Sequence, residues 1–455
     1  MVMALVGCAT YTASPIDVDR LPAAYARRSL DEPALRQFAT AFLGSKPAEW
    51  PPAALDLATL QAIALFDRPE LQAARAHLAG TSAAHAVVAE LGNPRLAIGP
   101  GVVANPGSAN QWLATVGLLF PLDLSGQRGA RMEAAASEVN AARVGVLRAD
   151  QAIRIEVVAG GFAVVLRQQL DALAEDQARL RWELVALAEK RANVGAADAI
   201  EVDRARSNAQ RAAVVRAAFA RETEAAHAAL AAALGLPPAA LDARRVRLPV
   251  ATLPELDGAT QERLATAAMR NRLDVAEALC SYARSEALLR LEVARQWPDF
   301  ELGPGYEYDQ GLHKYRVDIG FTLPLFHGNG AAIEKATADR ASAAVAVEAV
   351  QTRVITEVES ALQQFARQRQ ELDAAQVLAA TTATAVAKAV RRTALGADDQ
   401  GAVIAARIDD IEARAALVQQ EHRAREAWLR LEVALQQPIG EGLLAWQHAV
   451  PERVQ

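Results

Sequence analysis

The sequence predicts a mainly α protein with a small β part, built as an internal tandem duplication. Three observations predict it. A set of landmarks recurs, in the same order, about 200 residues apart. Two stretches without proline, Asp123 to Asn193 and Gly328 to about Leu395, have the Ala-, Leu-, Glu- and Arg-rich composition of very long helices. Each stretch follows a pair of short segments in which apolar residues alternate with period two, the pattern of β-hairpins.

The landmarks fix the repeat. Asn93-Pro94-Arg95-Leu96-Ala97-Ile98-Gly99-Pro100-Gly101 returns as Trp297-Pro298-Asp299-Phe300-Glu301-Leu302-Gly303-Pro304-Gly305, an offset of 204. Phe120-Pro121-Leu122 returns as Leu323-Pro324-Leu325 at 203, and Leu234-Gly235-Leu236-Pro237 as Gln436-Gln437-Pro438 at 201. Gly195 matches Gly396 at the same 201. A drift of only three residues over four ordered landmarks is the signature of a duplicated unit.

Taken along the chain, residues 1–8 read as the truncated remnant of a lipoprotein signal. Leu5-Val6-Gly7-Cys8 resembles the tetrapeptide at which bacterial lipoproteins are cut and lipidated, which makes Cys8 the candidate lipidation site. The basic and apolar regions of a full leader are missing or truncated before it, so a free cysteine at a disordered start is the competing reading. Ala9 rather than Asp follows the cysteine, which resembles outer-membrane sorting. Residues 9–57 form a proline-interrupted N-terminal extension.

The first repeat covers 58–236: a helix from about 58 to 92, a hairpin over 94–121, the long helix, and a returning helix over about 196–236. In its hairpin Leu96, Ile98, Pro100 and Val102 make one face, and after Asn105-Pro106-Gly107 come Trp112, Ala114, Val116, Leu118 and Phe120. A linker over 237–258 is punctuated by Pro237, Pro238, Pro249 and Pro254. The second repeat covers 259–438, with a helix over about 259–296, a hairpin over 298–324, the long helix and a returning helix from about 402 to 437. Its strands alternate Phe300, Leu302, Pro304, Tyr306 and Tyr308, then Tyr315, Val317, Ile319, Phe321 and Leu323, about the turn Asp309-Gln310-Gly311. Residues 439–455 form a C-terminal tail. At about 1.5 Å per residue each long helix runs to ~105 Å, and the two shorter helices of a repeat sum to about that length. They can therefore stack end to end along it.

Composition narrows the function. A net charge of −6 without a basic tract argues against nucleic-acid binding. Two cysteines 272 positions apart exclude a disulfide framework and a thiolate metal site. The seven histidines lack ligand spacing, four methionines make no soft-metal relay, and no catalytic set or phosphate loop sits in the context its chemistry needs. No enzyme activity, cofactor or metal site is expected.

The strands carry the remaining signal. Segments of about ten residues with one apolar, aromatic-rich face and one charged or glycyl face fit a transmembrane β-barrel. Seven of the 22 aromatics (six Trp, six Tyr, ten Phe) fall within 297–326, a density that suits interfacial girdles. Four strands cannot close a barrel, and open edges are not tolerated in lipid, so copies must share one.

At this point the residues resemble the TolC-type outer-membrane efflux protein family over roughly 58–440. The resemblance rests on Arg68-Pro69-Glu70-Leu71, the two Gly-Pro-Gly strands, and the junctions Pro121-Leu122-Asp123 and Pro324-Leu325-Phe326. Arg191-Ala192-Asn193-Val194-Gly195 and Arg392-Thr393-Ala394-Leu395-Gly396 complete it. It implies a homotrimer with a 12-stranded barrel in the outer membrane and a long-helix α-barrel across the periplasm. That assembly is the passive duct of a tripartite pump, with a periplasmic adaptor (membrane fusion) protein and an inner-membrane transporter of RND type or similar. Lipidated, palmitate-carrying members export drugs or metal ions.

The resemblance assigns Gly195 and Gly396 to periplasmic tips that contact the adaptor; a plain helix C-cap explains them equally. It also directs attention to acids beyond the tips. The positions six and nine after Gly396 are Ala402 and Ala405, a departure from the family's acidic gate. Asp198, Glu201, Asp398 and Asp399 are the candidates for an acidic entrance, against the alternative that they are helix-start acids favoured by the helix dipole. Asp299, Glu301, Glu307, Arg316 and Asp318, with Lys314, would line the barrel lumen as ion-paired, solvated groups. The competing reading of the whole is a periplasmic coiled-coil scaffold or adaptor without a membrane barrel.

Overall fold

The computed structural model describes residues 10–44, 49–102, 112–248, 253–322, 328–439 and 442–444. Cys8, the first hairpin's turn, the Pro324-Leu325-Phe326 junction and most of the tail lie outside them. The elements in chain order are α1 (Arg20–Ala26), α2 (Pro33–Leu43), α3 (Leu57–Asp67), α4 (Pro69–Ala89), β1 (Arg95–Val102) and β2 (Trp112–Leu122). The first repeat closes with α5 (Gln127–Asn193) and α6 (Ala199–Ala233). After two 3-10 turns come α7 (Gly258–Asn271), α8 (Leu273–Ala294), β3 (Phe300–Asp309), β4 (Leu312–Phe321), α9 (Gly330–Ala394) and α10 (Gln400–Leu435).

The 67-residue α5 and 65-residue α9 run uninterrupted, as their proline-free composition requires. Asp123 launches α5: its carboxylate accepts from the backbone N–H of Gly126, Gln127 and Arg128 at 3.0, 3.1 and 2.6 Å, satisfying donors that the helix start leaves orphaned.

One expectation needs correction. The helix before each hairpin is two helices, α3 with α4 and α7 with α8, not one. Arg68 is extended (φ −75°, ψ 121°) because Pro69 clashes with a helical residue before it. Arg272 takes the same conformation (φ −68°, ψ 123°) without a proline. There the break is held by side-chain chemistry. Arg272, buried, donates to Asp274 at 2.7 and 2.9 Å, to Glu357 of α9 at 2.7 Å and to the Ala434 carbonyl of α10 at 3.0 Å. The Asp274 carboxyl is held below its usual range by Arg272, against the opposing effect of burial.

The chain divides into two compact units. One comprises Met1–Asp67, Glu156–Val250 and Leu378–Gln419. Within it Leu173 and Leu180 of α5 pack with Ile404, Ile408 and Ile411 of α10. The N-terminal extension is tied to the end of α6: the Tyr25 hydroxyl donates to the Leu236 carbonyl (2.9 Å) and Arg28 to the Gly235 carbonyl (3.0 Å). These are carbonyls beyond a helix end, which need donors. Arg28 also pairs with Asp67 at 2.5 Å.

The other unit comprises Arg68–Ile155, Ala251–Val377 and Gln420–Gln455 and contains the sheet. Its helices cross-link through ion pairs: Arg284–Glu138 (2.6 Å) and Arg290–Glu133 (2.8 Å) join α8 to α5, and Arg340–Glu286 (3.3 Å) joins α9 to α8. At the end of α10, Glu432 is fully buried. Its carboxylate accepts from the backbone N–H of Ile439, Leu443 and Leu444 at 3.0–3.3 Å, pinning the following turn. Burial pushes its pKa up in spite of those donors.

Candidate functional site: the two-faced sheet and the helical tips

The two hairpins join into one antiparallel sheet in the order β1-β2-β3-β4. Register decides which side chains share a face. Gly99 pairs with Thr115, Gly117 with Gly305, and Gly305 with Arg316. The alternations of all four strands therefore fall into phase. One face is apolar throughout: Leu96 and Ile98, Val116 and Phe120, Leu302 and Tyr306, Val317 and Ile319 represent the four strands. The exposed large apolar residues of the strands include Ile98 (68%), Trp112 (65%), Tyr315 (86%) and Val317 (69%). A continuous apolar sheet face left uncovered marks an interaction surface rather than a core. Aromatics collect at its two ends. Trp112, Tyr308 and His313 stand toward the loops; Phe120, Phe300 and Phe321 stand toward the helices, with Phe300 and Phe321 rings 5.8 Å apart.

The opposite face carries the charged and glycyl residues, with Ala97, Leu113 and Leu119 of the first hairpin also on it. Arg95 bridges β1 to Glu301 of β3 at 2.5 Å. Arg316 holds Glu307 and Asp318, each at 2.8 Å, and Lys314 holds Asp309 at 2.7 Å and Glu307 at 3.4 Å. The Asp318 carboxylate lies across the glycines: a Cβ on Gly305 would meet it at 2.4 Å and one on Gly117 at 2.9 Å. Gly303 is required for another reason, since a Cβ there would fall 1.6 Å from the Leu118 carbonyl oxygen. Glu301, Glu307, Arg316 and Asp318 thus share one face, the three acids paired with Arg95, Lys314 and Arg316. Asp299 does not join them; it precedes β3 and accepts from the Gln127 side chain of α5 at 3.0 Å.

The tips are built alike. Gly195 (φ +73°) and Gly396 (φ +75°) each end a long helix in the left-handed region. Ala196 N–H returns to the Arg191 carbonyl (2.8 Å) and Gly195 N–H to that of Ala192 (3.0 Å); Ala397 and Gly396 repeat this with Arg392 and Thr393 at 2.9 and 3.0 Å. This is the Schellman closure, in which glycine supplies the positive φ. The returning helices start on acids: Asp198 accepts from Glu201 N–H (2.7 Å) and Asp399 from Ala402 N–H (2.9 Å).

Each candidate acid has a local basic or backbone partner. Arg392 grips Asp398 with two nitrogens at 2.7 and 3.0 Å. Arg191 lies between the repeats, 3.3 Å from Glu201 and 3.8 Å from Asp399. The structure therefore brings Glu201 and Asp399 to one guanidinium, and it uses Asp198 and Asp399 as helix caps. Sequence reasoning named the acids, and named Arg191 and Arg392 only within the tip sequences, not as partners of those acids. Their signal was present: both stand four residues before the tip glycines, at equivalent places in the two repeats.

Among the described residues no helix is long and apolar enough to cross a membrane, and no cluster of His, Cys, Asp and Glu could hold a metal ion. The sequence profile of the outer membrane efflux proteins matches residues 60–236 and again 259–437. The chain belongs to the outer membrane efflux protein family. This efflux-family chain is also 26% identical, over 215 residues, to the cobalt-zinc-cadmium resistance protein CzcC of Cupriavidus metallidurans. That alignment takes in 47% of the chain and spans about half the length of the relative. Its fold is that of solved outer-membrane channels. The outer-membrane channel OprN superposes with a TM-score of 0.68 at 19% identity, covering 94% of this chain and 98% of that one. The outer membrane protein VceC of Vibrio cholerae gives 0.67 at 20% identity, with 83% and 95% covered.

Proposed function

We propose that the chain is the outer-membrane duct of a tripartite efflux system. The observation that carries this is the sheet: an uncovered apolar face with aromatics at both ends, backed by a charged face closed by ion pairs. Lipid suits the first and a water-filled lumen suits the second. Three copies would supply 12 strands, closing the edges that one copy leaves open. The profile match to two successive stretches supports an origin by tandem duplication, with units 58–236 and 259–438. In this reading Glu301, Glu307, Arg316 and Asp318 line the lumen, Cys8 carries the lipid anchor, and the helices extend into the periplasm. The tips at Gly195 and Gly396 meet an adaptor protein, and an inner-membrane transporter supplies the energy. The duct itself performs no chemistry.

Glu201 and Asp399 form the acidic entrance, with Arg191 partly neutralising them. Repeated around an axis, such carboxylates favour cations. The likeness to a cobalt-zinc-cadmium resistance protein makes divalent metal ions the first cargo to test and drugs the second. The test deletes the chain's gene in its host and measures growth against cobalt, zinc and cadmium salts and against dyes and antibiotics. Sensitivity to the metals, restored by the intact gene, is the expected result. A deletion strain indifferent to every toxicant would overturn the export reading.

A further inference from the structure

The sheet is already curled within a single copy, and one side chain gives the direction of the curl. Asp318 stands on β4, yet its Oδ2 atom lies 2.9 Å from where a Cβ on Gly117 of β2 would be, with β3 between the two strands. Neighbouring strands are about 4.8 Å apart, so two flat spacings exceed what an aspartate can bridge. The sheet therefore bends toward its charged face. The same face crowds at Gly303, which has no room for a Cβ beside the Leu118 carbonyl. At Gly305, paired with Gly117 across β2 and β3, a Cβ would strike the Asp318 carboxylate. It would also come within 2.8 Å of Arg316 Nε and 2.9 Å of Arg316 Cγ. Neither Gly117 nor Gly305 has a positive φ, so backbone conformation does not require them. The space above them does, since glycine in a strand interior marks a bend or a close approach.

We propose that Gly117 and Gly305 form a bed on which the Arg316–Asp318 pair lies flat, and that this keeps the lumen clear, so that the barrel end selects solutes by width and not by the sign of their charge. The proposal rests on the shared-barrel reading above. Its two parts have separate supports. Arg316 is held on one side by Glu307 and on the other by Asp318, each at 2.8 Å, so its long side chain runs along the wall instead of into the channel. With a Cβ at either glycine, Asp318 has to leave the wall, and at Gly305 Arg316 goes with it. The second part concerns charge. Every charge that the described strands place on this face is ion-paired within the chain. A wall of paired charges offers no ring of one sign, the arrangement by which channels sort ions. Sorting by sign is left to the acids of the tips.

The experiment uses Gly320→Cys in the full chain on intact cells. Gly320 pairs with Glu301 on the helix side of Arg316 and Asp318, and a Cβ there makes only ordinary contact, 3.5 Å from Glu301. N-ethylmaleimide and a maleimide carrying a bulky fluorescent group are added from outside, and Gly320→Cys is expected to react with both. Adding Gly117→Ala and Gly305→Ala is expected to slow the bulky reagent far more than the small one. Adding Arg316→Ala and Asp318→Ala instead is expected to leave both rates unchanged, because side chains lying flat obstruct nothing. All four changes together restore the bulky reagent's rate. Bulky labelling that speeds up several-fold when Arg316 and Asp318 are trimmed overturns the flat-lying pair, and this arm does not depend on the glycine variants folding. Bulky labelling indifferent to the two glycine changes overturns it as well. Cationic and anionic methanethiosulfonates are expected to modify Gly320→Cys at comparable rates, and a preference of an order of magnitude for either sign overturns the part on charge. A Gly320→Cys protein that is recovered from the outer-membrane fraction but reacts with neither maleimide overturns the water-filled lumen, and with it the shared-barrel reading.

Discussion

Placing a charge on the apolar face of the sheet separates a membrane barrel from a soluble hairpin domain. Val317 lies midway along β4, paired with Pro304 of β3 and 69% exposed. On a water-facing surface, Val317→Arg would alter stability by no more than about 0.5 kcal/mol, the usual range for exposed positions. At the middle of a bilayer an arginine on the lipid face costs about 2–4 kcal/mol. A barrel of three copies carries the substitution three times, a total of about 6–12 kcal/mol, comparable with the whole stability of a typical domain. Phe321, at the helix-facing end of the same strand, offers a depth control: Phe321→Arg falls near the interface, where the cost is about 0–1 kcal/mol. Asp318→Asn, on the opposite face, is a control for strand integrity. The assay is urea-dependent assembly into phospholipid vesicles, read by protease protection of the strands. Val317→Arg is expected to abolish assembly or shift its midpoint strongly, with Phe321→Arg close to the parent. Equal behaviour of Val317→Arg and the parent, or equal losses at 317 and 321, would refute the lipid-facing assignment.

Three further outcomes follow from the helices. Arg272→Ala strips the buried Asp274 of its main partner and removes the Glu357 and Ala434 contacts; a loss of about 3–5 kcal/mol is expected by denaturant titration. Because the folded-state pKa of Asp274 is depressed, its stabilisation is full above the ordinary carboxylate value of about 3.9 and is lost as pH falls through the folded value. Glu432 has the opposite sign. Its raised pKa means that stability declines as pH climbs from about 4.3 toward the folded value, and Glu432→Gln should flatten that slope in melting curves between pH 4 and 7. Arg191→Ala should change stability by less than about 1 kcal/mol, as exposed pairs do, yet raise cation selectivity in planar bilayers by leaving Glu201 and Asp399 unneutralised. Unchanged reversal potentials would remove the acidic entrance.

Much of this architecture was legible because its periods are clean. Alternation over Phe300–Tyr308 and Tyr315–Leu323 announced the two strands: β3 ends one residue beyond the first, and β4 begins three residues before the second, whose Leu323 lies outside the described residues. The proline-free stretches announced α5 and α9, whose starts shifted inward only where Asp123 and Asn329 shape the turn. What was not legible depends on contacts far apart in sequence. Nothing local says that β2 pairs with β3 across 177 residues, although that pairing brings the two apolar faces together. The break at Arg68 was written in Pro69, but the matching break at Arg272 depends on Glu357 and Ala434, which no window around it contains. Glu432 reads as one more helix glutamate until its backbone donors are seen. The tip acids were visible, and their partners were not. Arg191 joins Glu201 to Asp399 only because the duplicated tips sit together in one unit.

The central claim is that copies of this chain share a membrane barrel, and the mass of the detergent-solubilised protein from the outer-membrane fraction tests it most directly. Three copies of a 48.4 kDa chain give a protein mass of about 145 kDa, the result the account predicts. A single-chain particle of about 48 kDa released without detergent would contradict it and leave the coiled-coil scaffold in its place.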